Sequence, residues 1–167
     1  MLLASSQDKP HAPGTPKPIP MALRREARPT IRRIAGELGA LEAARQYAQV
    51  VTDELGDEPF DIVLLGMGAD GHVASIFPGT EAGVGDVIAT TSPLPPTARV
   101  SLSLARLANT RHAWVMVTGA AKAARVAEVQ QQIARHEAAM PASALGTKVA
   151  LTWHLDRAAA GSTEGAA

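Results

Sequence analysis

Asp70 and His72 stand two residues apart in a run of small residues that also holds Gly66, Gly68 and Gly71. That grouping suits acid–base chemistry. An imidazole with an ordinary pKa of about 6.5 accepts a proton from water near neutral pH. A carboxylate two residues earlier can orient the ring or contact a sugar hydroxyl. The glycines let backbone N–H groups converge on a small anion or oxyanion with no Cβ in the way. The plain alternative is a tight strand-to-helix turn that carries a polar histidine; an acid and three glycines beside it favour a site.

The element that must present this loop is the strand before it. Asp61-Ile62-Val63-Leu64-Leu65 is a short, β-branched and leucine-rich run of the kind buried in a parallel sheet. In open α/β sheets, ligands bind just beyond the carboxyl ends of the strands. Gly66 to Gly71 also matches the GxGxxG spacing of dinucleotide sites. Pro78 and Gly79 follow only seven and eight residues after Gly71, too soon for the long helix whose N-terminus would hold a pyrophosphate. No second strand ending in an acid follows at the expected distance, so no nicotinamide or flavin cofactor is expected.

The other elements alternate. Ala40 to Leu55 repeats apolar residues every three or four positions (Leu41, Ala44, Ala48, Val51, Leu55) and predicts an amphipathic helix covering one face of the sheet. Val87–Thr90 and Arg99–Leu104 read as strands joined by a proline-rich connector. Ala113–Thr118 is a second buried-type strand, Ala120–His136 a helix with Ala123, Val126, Val129 and Ile133 inward, and Val149–Trp153 a last strand. Met140 to Ser143 reads as a loop. The pattern predicts an α/β fold, with a mostly parallel, Rossmann-like sheet and helices on both faces. Two cations attract notice. Arg99 is either an edge-strand surface residue or a contact to sugar or phosphate. Lys122 sits in the first turn of a predicted helix, where the dipole disfavours a cation; a phosphate at the carboxyl edge of the sheet would account for it.

Composition sets limits. Sixteen basic and sixteen acidic residues cancel, which gives no electrostatic reason to expect nucleic acid or an anionic membrane. There is no cysteine, which removes disulfides and thiolate chemistry. The histidines and acids show no metal-ligand spacing such as HExxH, and no apolar run reaches membrane-spanning length. A cytoplasmic protein without metal or cofactor is expected. Residues 1–29 hold six of the twelve prolines and read as a Pro-rich, flexible lead. Residues 30–160 read as the α/β domain, and 161–167 as a frayed tail.

The run LLGMGADGHVASIFPG, residues 64–79, resembles the signature of the 6-phosphogluconolactonases. The glucosamine-6-phosphate deaminases share its Gly-x-Gly-x-Asp-Gly-His part but continue with Phe-Asn-Glu-Pro, where this chain has Ser75-Ile76-Phe77-Pro78. The resemblance implies metal-independent hydrolysis of a small phosphorylated sugar lactone, with His72 as general base beside Asp70. It implies substrate contacts from Gly66, Gly68, Gly71 and Ser75, and supports Arg99 and Lys122, because segments similar to Pro-Pro-x-Arg and Thr-Gly-x-x-Lys surround them. The family's Asp-Glu-Arg motif is absent, and Gly14-Thr15-Pro16-Lys17-Pro18 only faintly resembles its phosphate loop. The likeness runs from near Ile31 to about Ala160, as for the carboxyl-terminal portion of a lactonase. A sheet shortened on its amino-terminal side implies an exposed edge open to self-association, and leaves a non-catalytic remnant of the same fold as the alternative.

Overall fold

The computed structural model describes residues 30–80 and 83–161. Three parallel strands form its centre, in the order β1 (Phe60–Gly66), β4 (Thr110–Val117), β5 (Leu151–Leu155). Leu65 of β1 lies opposite Val115 of β4, and Val115 opposite Trp153 of β5. The mostly parallel α/β sheet expected from the sequence is present. Strands β2 (Val87–Thr91) and β3 (Ala98–Leu102) pair with each other, antiparallel, as a separate two-stranded sheet.

Alternation along β1 and β4 decides where the core lies. Val63, Leu65, Ala113, Val115 and Val117 are buried on one face. Beneath them pack Val126 and Val129 of α3 (Ala123–Ala134), Ala142 and Leu145 of α4 (Pro141–Gly146) and Leu107 of α2 (Leu104–Ala108). Full burial of a Val or Leu side chain stabilises by roughly 1.5–3 kcal/mol, so this cluster carries much of the fold. The opposite face keeps Ile62, Leu64 and Met116 about half exposed. Among the described residues, helices thus cover one face of the parallel sheet and not both.

Helix α1 (Ala40–Leu55) has the bounds expected of it, ending at Gly56, whose φ of +51° suits a glycine. Its buried stripe is Ala43, Ala44 and Val51, with Tyr47 and Ala48 partly buried, and it lies on Val87, Ala89 and Val100. It covers the hairpin rather than the parallel sheet. Leu41, expected on the inner face, is 82% exposed.

Three local corrections bear on the site. The strand expected to reach Leu104 stops at Leu102, because the Ser103 hydroxyl accepts from Arg106 N and caps α2. The helix expected from Ala120 opens as a 3-10 turn at Ala120–Lys122 before α3. The segment beginning Met140-Pro141, expected to be loop, starts α4, with Pro141 in the first turn where its missing N–H costs nothing.

Candidate functional site

The loop after β1 hangs over the carboxyl edge of the parallel sheet, held by carbonyls that alternate along it. Met67 O accepts from Lys122 Nζ at 2.8 Å, Ala69 O from Arg125 Nε at 2.9 Å, and Gly71 O from Ala142 N at 3.0 Å. Inside the loop, Gly68 N donates to His72 O and Gly71 N to Gly68 O, each at 3.0 Å. The loop is therefore a closed turn tied to the beginnings of α3 and α4. Gly71 has φ +86°, and a Cβ there would stand 2.7 Å from Met140 Sδ; both facts require glycine.

This turn brings Asp70 and His72 together. His72 Nδ1 lies 2.6 Å from Asp70 Oδ1, and the same oxygen accepts from the His72 backbone N–H at 3.2 Å. Partial burial alone would raise the Asp70 carboxyl. The hydrogen bonds from the His72 backbone and ring, and the ring's charge, outweigh that and hold it below its ordinary value. A carboxylate ionised at neutral pH only accepts, so Nδ1 of a neutral His72 carries the proton and Nε2 is left with a free lone pair. Phe77 packs its ring on the imidazole, centroid to centroid 4.6 Å.

Gly68 makes the pair possible. A Cβ at that position would stand 2.6 Å from Asp70 Oδ1 and nearer still to His72 Nδ1. Gly66 differs: a Cβ there meets nothing within 4 Å, so the fold does not demand glycine and the space in front of it is open. Of the loop amides expected to face an oxyanion, two are already engaged. The amides of Gly68 and Gly71 are spent inside the turn.

His72 and Ser75 line two cavities. One, of about 620 Å³, runs along β1 and is bounded by Gly66, Gly68, Ser101 and Lys122. The other, of about 600 Å³, is bounded by Asp70, Phe77, Ser92, Pro93 and Arg99. The two cations named from the sequence thus line different cavities, with His72 in the wall of both. Lys122 is in no ion pair among the described residues; its ammonium uses one donor on Met67 O, which leaves two for a ligand. Arg99 sits on β3 opposite Thr90.

Sequence reasoning missed the residues that hold the site from outside. Ser75 N donates to Ser101 Oγ at 3.2 Å, and Thr90 Oγ1 donates to Ser75 O at 2.7 Å, so the hairpin fixes Ser75. Between His72 and Ser75, Ala74 takes φ +50°, a conformation costly for alanine. Asp156 accepts from Gly119 N at 3.1 Å and from Ala159 N at 2.7 Å, and so fixes the turn that carries Lys122. The alternation of Arg99–Leu104 was a signal for Ser101; nothing local marks Arg125 or Asp156.

An open parallel sheet with a polar loop over its carboxyl edge defines an α/β protein with polar groups where open sheets bind their ligands. The family model described as glucosamine-6-phosphate isomerases/6-phosphogluconolactonase matches residues 17–153, and the chain belongs to that family. It is 39% identical to a 6-phosphogluconolactonase of Mycobacterium leprae over 111 residues, 64% of this chain and 44% of the other. With the 6-phosphogluconolactonase of Rattus norvegicus it shares 36% over 132 residues, 71% of this chain and 48% of that one. The solved 6-phosphogluconolactonase of Trypanosoma cruzi superposes with a TM-score of 0.61 at 29% identity, covering 81% of this chain and 56% of the other. The chain spans about half the length of the curated relatives it matches.

Proposed function

We propose that this site hydrolyses 6-phosphogluconolactone to 6-phosphogluconate, a step of the oxidative pentose phosphate pathway. The observation that carries the reading is the 2.6 Å Asp70–His72 pair, set between two cavities with Nε2 free. In this mechanism Nε2 takes a proton from water as the oxygen attacks the lactone carbonyl carbon. Asp70 steadies the imidazolium that forms. The tetrahedral oxyanion finds the Ala69 amide, which donates to no group among the described residues. Collapse breaks the ring C–O bond, and the imidazolium returns its proton to the leaving oxygen. Lys122 and Arg99 offer charge to the phosphate, one from each cavity.

No cluster of three or more His, Cys, Asp or Glu side chains placed to hold a metal occurs among the described residues, and the proposed reaction uses no metal. No described helix is long and apolar enough to cross a membrane, and a cytoplasmic setting is part of the proposal. The test is hydrolysis of freshly generated 6-phosphogluconolactone with and without a chelator. The expected rate exceeds spontaneous opening and is insensitive to chelation; a rate equal to that in buffer refutes the reading. In that case the non-catalytic form of the fold stands. The half-exposed Ile62, Leu64 and Met116, and the place of β1 at the end of its sheet among the described residues, favour that second reading, with self-association through the β1 edge. A concentration-dependent mass in solution, lost on Leu64→Lys, checks the association.

A further inference from the structure

We propose that Arg125, aimed by Glu128, is a positioning residue that fixes the Ala69–Asp70 peptide so that the Asp70 carboxylate holds His72 Nδ1. This rests on the reading of His72 as the base. Arg125 lines neither cavity, so it acts on the chemistry only through other groups. Its Nε donates to Ala69 O at 2.9 Å. That carbonyl and the Asp70 N–H belong to one planar peptide, so fixing the carbonyl sets the direction from which the Asp70 side chain leaves the loop.

The guanidinium is itself immobilised. Nη1 donates to Glu128 Oε2 at 2.7 Å, one turn further along α3, and lies 3.3 Å from Met140 Sδ. The Met140 side chain in turn fills the space where a Cβ on Gly71 would stand. Glu128, Arg125, Met140 and the loop backbone thus make one continuous brace behind the acid–base pair. A planar fork satisfies Ala69 O and Glu128 together, through nitrogens pointing in different directions; an ammonium offers one point charge on a flexible stem.

The experiment reads the imidazole directly. In the wild-type chain, ¹⁵N shifts of His72 report the Nδ1-protonated tautomer, and in Arg125→Met they move toward a mixture of both. Where hydrolysis is measurable, kcat falls roughly ten- to a hundredfold with KM nearly unchanged, as for a displaced catalytic group. Arg125→Lys restores part of both effects, and Glu128→Gln shifts the tautomer in the same direction by less. A brace that is structural only would lower the melting temperature of these variants with the His72 signals unmoved, and that result overturns the proposal. Should Arg125→Met fail to fold, Glu128→Gln carries the same test. Full activity in His72→Asn would remove the base reading alone, because the tautomer signature does not depend on turnover.

Discussion

Replacing Gly68 by alanine tests the site geometry with a single methyl group. The new Cβ would stand 2.6 Å from Asp70 Oδ1 and closer to His72 Nδ1, well inside contact distance for carbon against nitrogen or oxygen. Both neighbours belong to short side chains whose backbone the turn already fixes, so neither can yield by flexing a distant tip. The 2.6 Å hydrogen bond must open. A charged hydrogen bond contributes about 1.5–3 kcal/mol when buried; with His72 32% and Asp70 43% exposed, solvent reduces this to about 1 kcal/mol or less. Gly68 has no positive φ, so alanine recovers about 0.4–1 kcal/mol by restricting the unfolded chain. The two terms nearly cancel, and the melting temperature moves by a few degrees at most. Activity does not cancel. A displaced general base costs about two to four orders of magnitude. The assay pairs lactone hydrolysis and His72 imidazole ¹⁵N shifts with a melting curve, using Gly36→Ala as control, since a Cβ there meets nothing within 4 Å. Gly68→Ala with wild-type turnover and an unmoved imidazole would refute the account of the pair.

Other changes separate the roles of neighbouring groups. His72→Asn keeps size and polarity but takes no proton, and lowers turnover by about two to four orders of magnitude in a folded protein; circular dichroism and the lactonase assay check both halves. Asp70 titrates below its ordinary value in the folded chain, so its ionised form favours folding. The stability advantage of wild type over Asp70→Asn is then complete above the unfolded-state pKa of about 3.9 and disappears as the pH falls through the lower folded value. Denaturant titrations between pH 7 and pH 2 measure it. Lys122→Met loses the bond to Met67 O, costs about 1 kcal/mol, and weakens 6-phosphogluconate binding; a ligand titration that matches wild type would confine Lys122 to a structural role. Glucosamine-6-phosphate deamination is expected to be undetectable by ammonia release.

Much of the fold was legible in the sequence where a pattern had only one physical solution. The apolar run before Gly66 and the helix α1 are such cases: α1 has the expected bounds, and the strand runs one residue further at each end, though Ile62 and Leu64 on its other face are half exposed. Two of the failures have a common cause. Short polar side chains that bond the backbone decide local structure without leaving a periodic trace. Ser103 ended a strand that alternation would have continued, and Ser143 closed the first turn of α4 by bonding Met140 N at 3.0 Å. The packing of α1 on the hairpin was hidden for another reason. An amphipathic face says that a helix must be covered, not by what. At the site, residue types named Asp70 and His72, but Arg125 contacts Ala69 O across 56 positions of sequence, a distance over which no spacing rule reaches.

Under the proposed mechanism, base geometry and substrate grip are separable in this chain. The groups that fix His72 are Asp70, Phe77 and the carbonyl ties to Lys122, Arg125 and Ala142, all from β1 onward. In the proposed mechanism the anionic end of a sugar phosphate meets Lys122 and Arg99, which line different cavities. A phosphate bound by one of them gains one charged contact, and each further contact is worth roughly 1.5–3 kcal/mol, about tenfold or more in affinity. Under the proposed mechanism, weak grip with an intact base raises KM and leaves kcat unchanged, whereas a misplaced base does the reverse. Saturation kinetics beside the His72 tautomer signature distinguish the two. If the Nδ1–H form is present and kcat at saturation is still indistinguishable from buffer, the acid–base pair is not what drives hydrolysis in this fold.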